Sequence, residues 1–125
     1  VVLNGKTYTF KDTLTNTDGF VQVGATLAES LSNLTEAVNL TASGVGTKFA
    51  TATTLHPTMS AQQLPTGIKF TAKTAGVAGN SLTTTETLTN GSFGGGVLAG
   101  GVDKVASAKG ISAPIGTASG TRVVA

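Results

Sequence analysis

The residues that could do chemistry in this chain are few and scattered. His56 is the only histidine, and it stands before Pro57 with no acid or nucleophile at a spacing that would orient it. Acid–base or nucleophilic work needs an imidazole held by a partner group. A single histidine before proline in a connecting segment therefore reads as a surface residue. The six carboxylates, Asp12, Asp18, Glu29, Glu36, Glu86 and Asp103, do not cluster in sequence. A cation site would need convergent ligands, and neither a D-x-D-x-D-G loop nor a histidine pair is present. With no cysteine there is no thiolate, no disulfide and no sulfur ligand. The residues argue for no catalytic residue, no cofactor and no metal.

Two glycine clusters invite a phosphate-loop reading, and neither satisfies it. Gly44-Val-Gly-Thr-Lys48 lacks the spacing and the G-K-[ST] ending of a P-loop, and Gly94-Gly-Gly96 does not open a helix as G-x-G-x-x-G would. Both read as linkers. Asn33, Asn39 and Asn90 each begin an N-x-[ST] sequon, which a chain with 23 threonines produces by chance; Asn33 moreover falls inside a helical pattern. Eight basic and six acidic residues leave a net charge of +2 with no run of Lys or Arg. A phosphate-tracking footprint is absent, so a nucleic-acid partner is not expected. No apolar run approaches a membrane span, so a membrane partner is not expected either.

The elements that must position these residues are mostly strands. The 125 residues suit one domain with a modest core. Charged residues are 11%, aromatic residues 5%, and 17 glycines accompany the threonines, a composition of pleated surfaces and tight turns. The one convincing helix runs from Thr26 to Asn39. Leu27, Leu31, Leu34 and Val38 recur at helical spacing, with Ala28 and Ala37 alongside. Thr26 and Glu29 fit a capping box, and Glu36 suits a solvated helix face.

Before the helix, Asn4-Gly5 between β-formers predicts a two-residue hairpin that pairs Leu3 with Lys6 and Val1 with Tyr8. Residues 11–19 read as a loop, and residues 20–23 as a short strand. After the helix, residues 41–48 form a linker, and strands are predicted over 49–54, 58–63, 68–73 and 81–89, with an edge strand at Val97-Leu98. Ile68, Phe70 and Ala72 should face inward. Phe93, in the glycine-rich stretch 90–96, reads as a plug over the sheet end or an anchor for a neighbouring subunit. Beyond Gly101 the side chains become small and aperiodic. The division is a compact α+β domain at 1–101 and an extended C-terminal arm at 102–125, the one helix packing a small antiparallel sheet.

Four phrases occur in a telling order: Leu3-Asn-Gly-Lys-Thr-Tyr-Thr-Phe10, the helix Thr26–Asn39, Phe70-Thr-Ala-Lys-Thr-Ala-Gly-Val-Ala-Gly-Asn80, and Thr85-Glu-Thr-Leu-Thr-Asn-Gly-Ser-Phe93, closing on Leu98-Ala-Gly-Gly101. This order resembles a domain that recurs in tailed-bacteriophage virion proteins, in capsid-decorating, tail and fibre proteins alike. More distantly it is similar to the small β-α-β insert of flagellins and hook-associated proteins. The resemblance covers about residues 1–101. It implies a building block: a capsid decoration or cement protein of the virion, or alternatively a tail-tube, tail-fibre or filament module. The implied partners are the major capsid protein or other virion subunits, including further copies of the chain, and the implied place is the outer surface of the head, or the tail. No catalytic residue carries over. Candidate subunit contacts are Phe93 and, in the arm, Ile111, Ile115, Val123 and Val124.

Overall fold

The computed structural model describes residues 1–103 and, as backbone, Thr117–Val124. The first element is the hairpin that Asn4-Gly5 dictates. β1 (Val2–Leu3) and β2 (Lys6–Thr7) pair antiparallel, Leu3 opposite Lys6 and Val2 opposite Thr7. Asn4 and Gly5 take φ of 45° and 84°, the two left-handed residues of a type I′ turn. Tyr8 N–H donates to the Val1 carbonyl at 2.7 Å and the Val1 nitrogen donates to the Tyr8 carbonyl at 2.9 Å, completing the expected register. Val1, Leu3 and Tyr8 are buried and Phe10 is half-buried, so the alternation puts them toward the core. β3 (Thr9–Lys11) continues from the hairpin and lies parallel to β4 (Phe20–Gln22).

α1 (Leu27–Asn39) starts as its sequence directs, with Glu29 N–H donating to Thr26 Oγ1 at 3.1 Å. The Glu29 carboxylate accepts from Ala25 N–H at 2.7 Å, one residue outside the capping-box position. Leu31, Leu34, Ala37 and Val38 are buried, whereas Leu27 is 50% exposed because the first turn overhangs an open groove. The helix ends on Leu40 in the left-handed region at φ 50°, and Thr41 N–H donates to the Glu36 carbonyl at 2.9 Å. That is a Schellman-type end with leucine where glycine is usual.

α1 packs on β5 (Met59–Leu64) and β6 (Gly67–Ala75), a hairpin closed by Pro65-Thr66. Ile68, Phe70 and Ala72 of β6 are buried and Lys73 is exposed, as the alternation requires. Short 3-10 turns at Ala42–Gly44 and Val77–Ser81 flank this hairpin in sequence, followed by β7 (Thr84–Thr85), β8 (Gly91–Phe93) and β9 (Thr117–Val124). The larger sheet has the order β5-β6-β9-β8, and a smaller one has the order β2-β1-β7. Among the described residues, the ladders apart from the parallel β3–β4 pair are antiparallel, so the architecture is α+β with one helix on small sheets. Phe70, Ile68, Met59, Leu34, Val38, Phe49 and Tyr8 share a single core. Each large apolar side chain buried there contributes roughly 1.5–3 kcal/mol.

Two expectations need correction, and a third is left without support. Residues 49–54 form no strand beyond bridges at Phe49, because side chains take the hydrogen bonds a ladder would use: Gly19 N–H donates to Thr53 Oγ1, and Thr54 N–H to Asp18. The strand expected over 81–89 shrinks to Thr84–Thr85, since Ser81 closes a 3-10 turn and the Glu86 carboxylate accepts from Leu88 N–H. The extended arm finds no support among the described residues. Thr117–Val124 runs between β6 and β8, with Thr71 opposite Ser119 and Gly91 opposite Val124.

Candidate functional site

His56 is buried, not at the surface, and two stretches of main chain hold its ring. Nε2 lies 2.8 Å from the Leu3 carbonyl; Nδ1 accepts from Thr58 N–H at 3.2 Å and Met59 N–H at 3.0 Å. The ring stacks on Tyr8 at 6.2 Å between centroids. Through Met59 N–H the imidazole caps the start of β5. Both nitrogens are thereby used by backbone, and neither is left to meet a substrate. Burial, first, and the positive charges of Lys6 and Lys73 hold the imidazole below its ordinary range, against the upward pull of the Leu3 carbonyl.

A polar cluster covers this centre. Lys6 Nζ donates to Asp18 Oδ1 and Oδ2 at 2.8 and 2.9 Å and to Thr54 Oγ1 at 2.8 Å. Burial pulls the Asp18 carboxyl up, but hydrogen bonds from Lys6 and Thr54 together with the lysine charge hold it below the ordinary value. The Tyr8 hydroxyl is buried with no hydrogen-bond partner among the described residues, and burial, with Asp18 adding to it, pushes its pKa up. These contacts tie the hairpin to the loop 51–58.

Glu36 is half-buried rather than solvated. One carboxylate oxygen pairs with Lys48, and Gly44 packs so closely that a Cβ there would meet the other oxygen at 2.8 Å. The Gly44–Lys48 turn is therefore already occupied by the chain's own carboxylate. Among the described residues no three His, Asp or Glu side chains converge as a metal site would require. No helix among them is long and apolar enough to cross a membrane.

The sequons differ in access. Asn33 is buried and donates to the Gln22 carbonyl at 2.9 Å, binding α1 to β4. Asn39 donates to the Ala61 carbonyl at 2.7 Å and accepts from Ala61 N–H at 2.9 Å. Asn90 alone is exposed, in a left-handed turn at φ 63°.

The candidate subunit contacts are placed unevenly. Phe93 sits on β8, half-buried and packed against the core with its ring 6.1 Å from Phe70. The backbones of Val123 and Val124 pair with Ser92 and Gly91 inside the sheet. Ile111 and Ile115 lie outside the described residues.

One open apolar surface was missed by sequence reasoning. A groove of about 230 Å³ opens between the first turn of α1 and the ends of β3 and β4, lined by Phe10, Val23, Leu27, Ser30, Leu31, Leu88 and Thr89. Val23 and Leu27 at its rim are 40% and 50% exposed. The available signal was Leu27, which opens the helical stripe one turn before the residues that reach the core. Comparison with protein-family models, with curated proteins and with solved structures gives no match for this chain.

Proposed function

We propose that this chain is a structural subunit of a tailed-bacteriophage virion, foremost one that covers or cements the outside of the head. It acts by contact rather than by catalysis. The major capsid protein and further copies of the chain are its partners. The observation that carries the reading is the apolar groove at the start of α1, with Val23 and Leu27 half exposed at its rim. The ordered phrases that resemble virion building blocks give that surface its context. A groove this small is weak alone. Repeated over a shell, many such contacts gain the avidity that one lacks.

The second reading, a tail-tube, tail-fibre or flagellin-like filament module, keeps the fold and changes the place. It is favoured by the distant likeness to the filament insert. Copy number per particle, by quantitative mass spectrometry of purified virions, separates the two. A count comparable with the major capsid protein is the expected result. A few or a few dozen copies would move the chain to tail or fibre, and absence from virions would overturn the phage reading.

A further inference from the structure

The main chain around His56 admits one protonation state. The Leu3 carbonyl only accepts, so Nε2 carries the hydrogen; the Thr58 and Met59 amides only donate, so Nδ1 is bare. A proton added at Nδ1 would point at two N–H groups and find no acceptor. The charged groups that face the ring are Lys6 from β2 and Lys73 from β6, and the Lys73 ammonium donates to the His56 carbonyl. Tyr8 stacks on the ring as a neutral phenol, and α1 presents the Val38 carbonyl, which accepts from His56 N–H. The two formal charges that shift the imidazole are thus both positive, and one of them, Lys6, is paired with Asp18 at 2.8 Å.

We propose that His56 is an acid-operated latch: protonation expels the ring, frees the Thr58–Met59 start of β5, and uncouples the β1–β2 hairpin from the larger sheet. The ring at Met59 and the Asn39 amide at Ala61 occupy the outer edge of β5, where a strand from another chain could otherwise pair. Opening the latch exposes the Met59 part of that edge. A subunit so built alters its contacts as pH falls, whichever assembly it belongs to.

The direction of the effect follows from linkage. The fold prefers the neutral ring, so the folded pKa lies below the unfolded value near 6.5. The stability that His56 contributes is full above that value and is lost as pH falls toward and through the folded pKa. In the window between the two, the opening constant rises roughly tenfold per pH unit. Asp18, held below the ordinary carboxylate range, titrates at lower pH, whereas the Val1 amine, held below its ordinary value by burial, adds a background slope of the same sign that the His56 variant keeps.

The test follows the His56 ring nitrogens and the exchange of the Thr58 and Met59 amides by NMR on the full chain between pH 7.5 and 5. The expected result is an Nε2–H tautomer at the top of the range. Protection of the two amides, corrected for intrinsic exchange, should then fall in step with acidification while the Phe70 amide stays protected. A ring that titrates at or above 6.5, or amides still protected once it is charged, would overturn the latch. His56→Gln gives a second reading. Its urea midpoint should fall less steeply over this range than the parent's, the remaining slope coming from the Val1 amine, which burial holds below its ordinary value; equal slopes would refute the proposal. Should that variant fail to fold, the NMR result on the parent decides.

Discussion

At the residue scale, the buried polar groups divide into those with partners and those without. Both ring nitrogens of His56 and the amide nitrogen of Asn33 are engaged, whereas the Tyr8 hydroxyl has lost water and gained nothing among the described residues. Burying an unbonded hydroxyl costs about 1–3 kcal/mol on protein scales. Tyr8→Phe should therefore leave the fold intact and leave stability unchanged or raised, read from urea denaturation midpoints. A fall of about 1 kcal/mol or more would mean that the hydroxyl is bonded after all. The stacking on His56 survives in this variant, so the test isolates the oxygen. Lys6 and Asp18 are a different case: Asp18 is half exposed, and a surface pair of that kind contributes about 0–1 kcal/mol, too little to decide the fold.

At the element scale, the instructive contact is the end of α1 against β5. Asn39 offers its amide N–H to the Ala61 carbonyl and its amide oxygen to Ala61 N–H, as a neighbouring strand would. An edge closed this way resists pairing with another chain. Asn39→Ala should cost about 1–3 kcal/mol despite its better helix propensity, because two partly buried backbone groups lose their partner. Asn39→Asp should be at least as damaging, since a carboxylate would face the Ala61 carbonyl. Urea denaturation of both variants checks this. Equal stability of the alanine variant and the parent would show that water replaces the amide without loss.

At the scale of the whole molecule, β9 decides how the chain is organised. It lies between β6 and β8, so β8 owes its place in the sheet to residues at the far end of the sequence. A chain ending at Asp103 would leave β6 with one neighbour and β8 with none. Such a truncation should unfold at a clearly lower urea concentration and lose strand signal in far-UV circular dichroism. An unchanged midpoint would instead restore the division into a self-sufficient body at 1–101 and a separate arm. The groove at the start of α1 involves neither β8 nor β9, so a folded truncation would still present it.

By itself, the sequence determined the elements whose causes are local. Asn4-Gly5 sets its own turn because both residues tolerate positive φ, and the hairpin register follows from a two-residue loop. Thr26 caps its helix, and the spacing of Leu31, Leu34 and Val38 chooses the buried face. Ile68, Phe70 and Ala72 alternate inward for the same short-range reason. Tertiary structure alone decided the rest. His56 is buried because a carbonyl 53 residues away accepts its hydrogen, and Glu36 is paired because the turn 12 residues on brings Lys48 back. Leu27 belongs to the apolar stripe and is still half exposed, since the stripe cannot say how far the surface beneath it extends. β9 lacks both aromatic residues and clean alternation, and its place depends on pairing with strands tens of residues away. Such pairings are set by the free energy of the assembled sheet and leave no local period to read.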